Sequence, residues 1–243
     1  MIRKLPGAAA AALLLVSSFA HAEIPWTISN NTRYLAMGDS LAAGFGAIPV
    51  TNGYAYLLYQ GGTFDRMTNT IFANAAMPNA TSDDVLAFQV PPAVKLFKPN
   101  VVTISVGGND LLEILKGADP TTVLPAFQAN LVQILGTLRL SLPENARIII
   151  GNQYDIPEIT ANKPGADRVI DAFNKIIASV AEATHALVAD VFSAFKGRNG
   201  LLLVERHGAD QFEVHPTNAG YRVMAKAFAA AVPPTQLARL SRA

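Results

Sequence analysis

Four short segments of this chain hold residue types that could together carry nucleophilic chemistry: Gly38-Asp39-Ser40-Leu41, Asn74 through Thr81, Gly107-Gly108-Asn109-Asp110 and Val214-His215-Pro216-Thr217. A serine hydroxyl attacks a carbonyl effectively only when a base takes its proton, and the oxyanion that forms needs fixed donors. Ser40 is the nucleophile candidate, and its own backbone N–H can face an oxyanion. Taken alone, it fits a helix N-cap better, a common role for serine after a strand. Asp39 reads as a cap or hydrogen-bond acceptor rather than a catalytic acid. Gly107 and Gly108 let the backbone turn sharply beside a ligand, and the Asn109 amide can donate to an oxyanion. An isolated Gly-Gly-Asn is usually an ordinary turn. With no Gly-Lys-Ser/Thr after it, it is not a phosphate loop.

The base candidate is a histidine. His215 precedes Pro216-Thr217-Asn218, a loop feeding a helix with Thr217 as its cap, and from there it can reach a serine across a cleft. His185, at the end of a helical pattern, is placed to cap the last carbonyls. His207, between Arg206 and Gly208, reads as part of an exposed turn.

Such dispersed residues need a scaffold that gathers them. Tyr34–Met37, Thr70–Ala73, Val101–Val106, Arg147–Gly151 and Ala186–Asp190 read as short apolar strands. Between and after them lie helical patterns. Leu124, Phe127, Leu131, Ile134, Leu135 and Leu138 recur at helical spacing within Pro120–Leu142, and Val169, Ile170, Phe173, Ile176, Ile177 and Val180 within Ala166–Thr184. A last helix spans Asn218–Ala231, with Tyr221, Val223, Met224 and Phe228. Continuous apolar strands separated by helices imply a parallel sheet covered on both faces, an α/β/α sandwich. Ligand sites in such sheets lie at the carboxyl ends of the strands. Three of the four segments follow strands one, two and three, so they converge on one edge.

Composition narrows the class. Of 243 residues, 51% are hydrophobic and 15% charged, enough for a sizeable core in one domain. Residues 1–22 read as a cleavable secretory leader: Arg3 and Lys4, an apolar run from Ala8 to Val16, then Ala20-His21-Ala22 before Glu23. The run is too short to span a bilayer comfortably, and no stop-transfer pattern follows it. A single domain over residues 23–243 is expected, exported to the periplasm or beyond, with no membrane anchor after processing. Without Arg3 and Lys4 the 19 basic residues become 17 against 18 acidic, a formal charge of −1. Such a balance gives no footprint for nucleic acid or anionic membranes. The absence of cysteine excludes a disulfide scaffold, a thiolate zinc site and a cysteine nucleophile. No His/Asp/Glu cluster has metal-ligand spacing, so no metal or cofactor is expected.

The four segments, taken in order, resemble the blocks of the GDSL, or SGNH, hydrolase superfamily. Gly38-Asp39-Ser40-Leu41 matches the first block and Asn74–Thr81 resembles the second, usually Asn-x-Ala-x-x-Gly-Ala-Thr. Gly107–Asp110 matches the third and His215 the histidine of the last. The similarity runs from Arg33 to Phe228. It implies a flavodoxin-like three-layer fold and a serine esterase or lipase-like acyl hydrolase acting through an acyl-enzyme. Ser40 would be the nucleophile, His215 the general base, and Ser40, Asn79 and Asn109 the oxyanion donors. Two positions depart from the pattern. Asn79 stands where the family has Gly; it keeps the backbone N–H and tolerates a left-handed conformation. Phe212, three residues before His215, stands where the family has its triad Asp. Asp210 and Glu213 are near in sequence, but on an extended segment Glu213 should point to another side. The expectation is therefore a Ser40–His215 dyad whose imidazole N–H is held by a backbone carbonyl near Phe212.

Two rivals share the fold: a binding protein that has lost its chemistry, and an acyltransferase using an acceptor other than water. The resemblance implies a small-molecule or lipid ester as substrate, and a monomer is expected. Gly53–Tyr59 could wall an acyl pocket, although aromatics at that spacing more often belong to the core.

Overall fold

The structure, a computed structural model, describes residues 31–204 and 213–232. The leader assigned to residues 1–22, and His207, Asp210 and Phe212, lie outside the described residues.

Five parallel strands form the centre: β1 (Thr32–Gly38), β2 (Thr70–Asn74), β3 (Val101–Ser105), β4 (Arg147–Gly151) and β5 (Leu187–Ala189). Their spatial order is β2-β1-β3-β4-β5, with Tyr34 level with Phe72 on one side and Val101 on the other. That is the flavodoxin-like doubly wound order, whose switch point lies between β1 and β3. The strands are apolar along their length because both faces are covered. Every residue of β3 is buried, and β1 is buried except at Arg33.

One face packs under α3 (82–97), α4 (Gly108–Leu115), α5 (Pro120–Ser141) and α7 (Ala166–Ala183), where Leu35, Met37, Ile104, Phe127, Leu131 and Phe173 meet. The other packs under α1 (Ser40–Ala43), α2 (Tyr54–Gln60), α8 (Val191–Phe195) and α9 (Asn218–Ala230), around Tyr34, Tyr54, Leu58, Tyr221 and Phe228. A short α6 (Pro157–Thr160) follows β4. The strands and long helices lie within a residue or two of the sequence reading. The α3 stretch was not foreseen; α turns alternate there with wider π turns around Pro91 and Pro92.

The helix end assigned to His185 is held differently. Arg139 donates to the carbonyls of Thr184 and His185, at 3.2 and 2.9 Å, while His185 itself is exposed with φ +54°. A guanidinium with several donors reaches two carbonyls at once, which an imidazole cannot.

Candidate active site

The turn after β1 is shaped by backbone constraints. Gly38 has φ +124°, and a Cβ there would lie 1.8 Å from the Ser105 carbonyl oxygen, so a side chain is excluded. Gln89 of α3 grips the same residue from the other side. Its Oε1 accepts from the Gly38 N–H at 2.7 Å, and its Nε2 donates to the Gly38 carbonyl at 2.8 Å. The Met77 N–H adds a second bond to that carbonyl at 3.0 Å, and the Asp39 N–H donates to Ser105 O at 2.9 Å.

Asp39, as read from sequence, is the cap: its Oδ1 accepts from the Leu41 N–H at 3.0 Å. Burial pushes its carboxyl up to about 7, against the pull of the N–H bonds it accepts. Ser40 is therefore the first residue of α1 rather than its cap, buried, with its Oγ 2.9 Å from Nε2 of His215.

The histidine arrives on a loop before α9. Leu203 N–H donates to His215 O at 2.9 Å and Thr217 N–H to Leu201 O at 2.8 Å, which fixes the chain on both sides of Pro216. The Tyr154 hydroxyl donates to the Val214 carbonyl, and the Phe45 ring packs against the imidazole with centroids 4.5 Å apart. Thr217 caps α9 by accepting from the Gly220 N–H, as its position in the sequence suggests.

Behind the imidazole stands a carboxylate. Oε1 of Glu213 lies 2.8 Å from both the backbone N and Nδ1 of His215. A carboxylate only accepts, so Nδ1 carries the proton and Nε2 is left as the acceptor facing the Ser40 hydroxyl. Partial burial of Glu213 opposes its ionisation, but the bonds from His215 outweigh this and hold its carboxyl below the usual glutamate value. The expected carbonyl-supported dyad is thus corrected. Alternation along an extended strand would turn Glu213 away from the ring. Instead its side chain folds back onto the N–H two residues ahead, and the same oxygen meets the ring nitrogen.

The third segment begins α4. Gly107 has φ +100°, and a Cβ there would come within 2.7 Å of the Phe127 ring. Asn109 Nδ2 donates to the Ala80 carbonyl at 2.8 Å, which orients the amide while using one of its two N–H bonds. Asp110 is buried and accepts from the Ser82 N–H at 3.0 Å and from the Ser82 hydroxyl, while Asn130 donates to that hydroxyl at 3.1 Å. These bonds lock the start of α4 to the start of α3. Asn79, one residue before Ala80, is exposed and takes φ +67°, the left-handed conformation its side chain was expected to tolerate.

Ser40, Asn109 and Gln153 line a largely apolar cleft. Leu111, Leu112 and Leu115 of α4 line it on one side and Ile156, Ile159 and Ile170 on the other. Lys163 Nζ donates to the Leu115 carbonyl at 2.8 Å and ties α4 to the chain after α6. Gln153 is pinned by its own bond to the Val106 carbonyl, 2.8 Å, and by Asn174. The Gly53–Tyr59 segment is not part of this lining; Tyr54, Ala55 and Leu58 are buried core.

Gln89, Gln153 and Tyr154 were not foreseen. The only signal for Gln89 is a lone polar residue within the otherwise apolar run Val85–Val94. Among the described residues, no three His, Asp or Glu side chains gather as a metal ion would need.

The chain is 28% identical over 212 residues to the spore germination lipase LipC of Bacillus licheniformis, covering 82% of this chain and 95% of that protein. Among solved structures, the lipase Lip_vut3 from a goat rumen metagenome is 25% identical with a TM-score of 0.63, over 83% of this chain and 97% of that one. Axe2, an acetylxylan esterase from Geobacillus stearothermophilus, is 21% identical with a TM-score of 0.65, over 82% and 93% of the two chains. At that identity the likeness concerns the fold alone. A profile built for one family spans residues 36–223, from β1 into α9 and across all four segments, and by that match the chain belongs to the GDSL-like lipase/acylhydrolase family.

Proposed function

We propose that the chain is an exported serine acyl hydrolase that cleaves carboxylic esters with an apolar acyl group. The observation that carries the reading is the relay from Glu213 through His215 to Ser40, with steps of 2.8 and 2.9 Å, at the mouth of an aliphatic cleft. Export rests on the leader pattern of residues 1–22, and places the activity in the periplasm or outside the cell.

Nε2 of His215 takes the Ser40 proton as Oγ adds to the ester carbonyl. Glu213 stabilises the imidazolium that results and keeps the ring from turning. Charge then develops on the carbonyl oxygen. The Ser40 N–H, which the Asp39 cap leaves unused, the second Asn109 N–H and the Asn79 N–H are the donors for it. The imidazolium returns its proton to the departing alkoxide, and an alcohol leaves. Water, deprotonated by the same nitrogen, attacks the acyl-serine and releases the acid. The acyl chain lies along Leu112, Leu115 and Ile159.

A fluorophosphonate probe tests the nucleophile: it should label the wild-type chain on Ser40 and leave Ser40→Ala unlabelled. Labelling that persists in the variant would remove Ser40 from the reading. Aryl esters graded by acyl length test the cleft. Each methylene added from acetyl upward should raise kcat/KM about fourfold until the cleft is filled, from about 0.8 kcal/mol per buried methylene. An acetyl optimum would rule out the aliphatic wall as acyl site.

A further inference from the structure

From Leu41 to Phe64, 24 residues, the chain contains no charged residue. The middle of this run puts large apolar side chains into water: Phe45 is 53% exposed, Ile48 81% and Val50 48%. A single exposed isoleucine needs no explanation, but three large apolar residues within one short loop form a patch. The loop backbone is anchored. The Tyr221 hydroxyl donates to Phe45 O at 2.6 Å, and Asn218 Oδ1 accepts from the Ile48 N–H at 2.9 Å while its Nδ2 donates to Ile48 O. Asn52 Nδ2 donates to the same carbonyl at 2.9 Å. Two residues of α9 thus hold the loop with its hydrophobic side chains facing outward.

The patch is continuous with the site. The Phe45 ring that packs on His215 is its inner member. Met77, 39% exposed, lies on the loop after β2 at the same sheet edge and is tied to Gly38 through its N–H.

We propose that the 45–50 loop seats the enzyme on an uncharged lipid–water interface, from which ester enters the cleft beside Ser40. The proposal rests on the acyl-hydrolase reading for its substrate. Two features select this occupant. A run without Lys or Arg gives no attraction to anionic headgroups, so apolar insertion is the means of binding. The patch also adjoins the proposed site, because Phe45 packs on His215 and His215 meets Ser40, so a lipid surface seated there lies beside the nucleophile. Among the described residues no helix is long and apolar enough to cross a membrane.

The test is co-sedimentation with vesicles of pure phosphatidylcholine, and with an admixture of phosphatidylglycerol, using the Ser40→Ala chain so that binding is read without turnover. It should bind pure phosphatidylcholine, and the anionic lipid should not strengthen binding. Adding Ile48→Asp and Val50→Asp should weaken partitioning on the order of tenfold or more. In the chain that keeps Ser40, the same pair should leave hydrolysis of a dissolved short-chain aryl ester unchanged, which shows that the fold survives. Absence of binding to phosphatidylcholine, binding only to anionic vesicles, or equal binding by the double variant would overturn the proposal. So would a wild-type dimer that the double variant dissociates, since a second copy would then cover the patch. Because vesicle binding is measured without catalysis, failure to hydrolyse any ester would count against the acyl-hydrolase reading, and failure to bind against the interface.

Discussion

The two sides of the Ser40–His215 contact are built by different means. On the serine side, main-chain groups are what is held: Gly38 at φ +124° has no room for a Cβ, and the Gln89 amide with the main chain of Met77 and Ser105 fixes the peptide groups around it. On the histidine side, main-chain bonds from Leu203 and Thr217 hold the loop, but the ring is oriented by a side chain, Glu213, and Tyr154 adds a bond to the Val214 carbonyl. Main-chain geometry demands particular residues at particular positions. A carboxylate can reach an imidazole from more than one place, provided its side chain is long enough. The first side is therefore constrained in sequence and the second only in space.

Substitutions can break this contrast or sharpen it. Ser40→Ala should cost on the order of 10⁶ in kcat with little change in stability, because it removes one hydroxyl from a turn held by backbone. Activity within tenfold of wild type would refute the nucleophile. Glu213→Gln should cost on the order of 10⁴ in kcat, the size seen when a triad acid is neutralised and the wrong tautomer is favoured. A loss below tenfold would restore the view that a main-chain carbonyl suffices. Asn109→Ala should lose about 10²–10³ in kcat with a smaller change in KM, as for a donor used mainly in the transition state. A pure KM effect would make it a substrate-positioning group only.

The smallest effect concerns the buried cap. The Asp39 carboxyl titrates near 7 in the folded chain, above its unfolded value, so the folded chain binds more protons between those values. Its contribution to stability is therefore full at low pH and is lost as the pH rises through about 7. Asp39→Asn keeps an acceptor for the Leu41 N–H and removes the charge. Between about pH 5 and about pH 8 the wild type should lose several degrees of Tm that this variant keeps. Parallel pH profiles in thermal melts would show that the carboxyl is not desolvated.

How much could be read beforehand follows the same division. The strands, the long helices and the parallel order of the sheet were legible because burial on both faces writes continuous apolar runs and helical spacings into the chain. Ser40 and Asn109 were legible only through the four segments taken together, since each alone reads as a helix cap or an ordinary turn. The carboxylate beside His215 was not legible. The expectation of a carbonyl near Phe212 rested on strand-like alternation, and a side chain that folds back onto the N–H two residues ahead leaves no periodic trace. Gln89 and Tyr154 act through long-range hydrogen bonds to main chain, at separations of 51 and 60 residues, which local patterns do not encode. The aliphatic cleft has a similar origin: its walls come from α4, α6 and α7 and meet only in the fold.

Ser40 and His215 are 175 residues apart in sequence. Bringing such distant points together in an unstructured chain costs about 4–5 kcal/mol of closure entropy, so the contact forms only once intervening elements have shortened the effective loop. Its formation also requires α9, near the C-terminal end of the fold, to be seated. In refolding from denaturant, ester hydrolysis should return after the far-ultraviolet circular dichroism of the sheet and long helices has recovered, and simultaneous recovery would show that α9 docks with the rest.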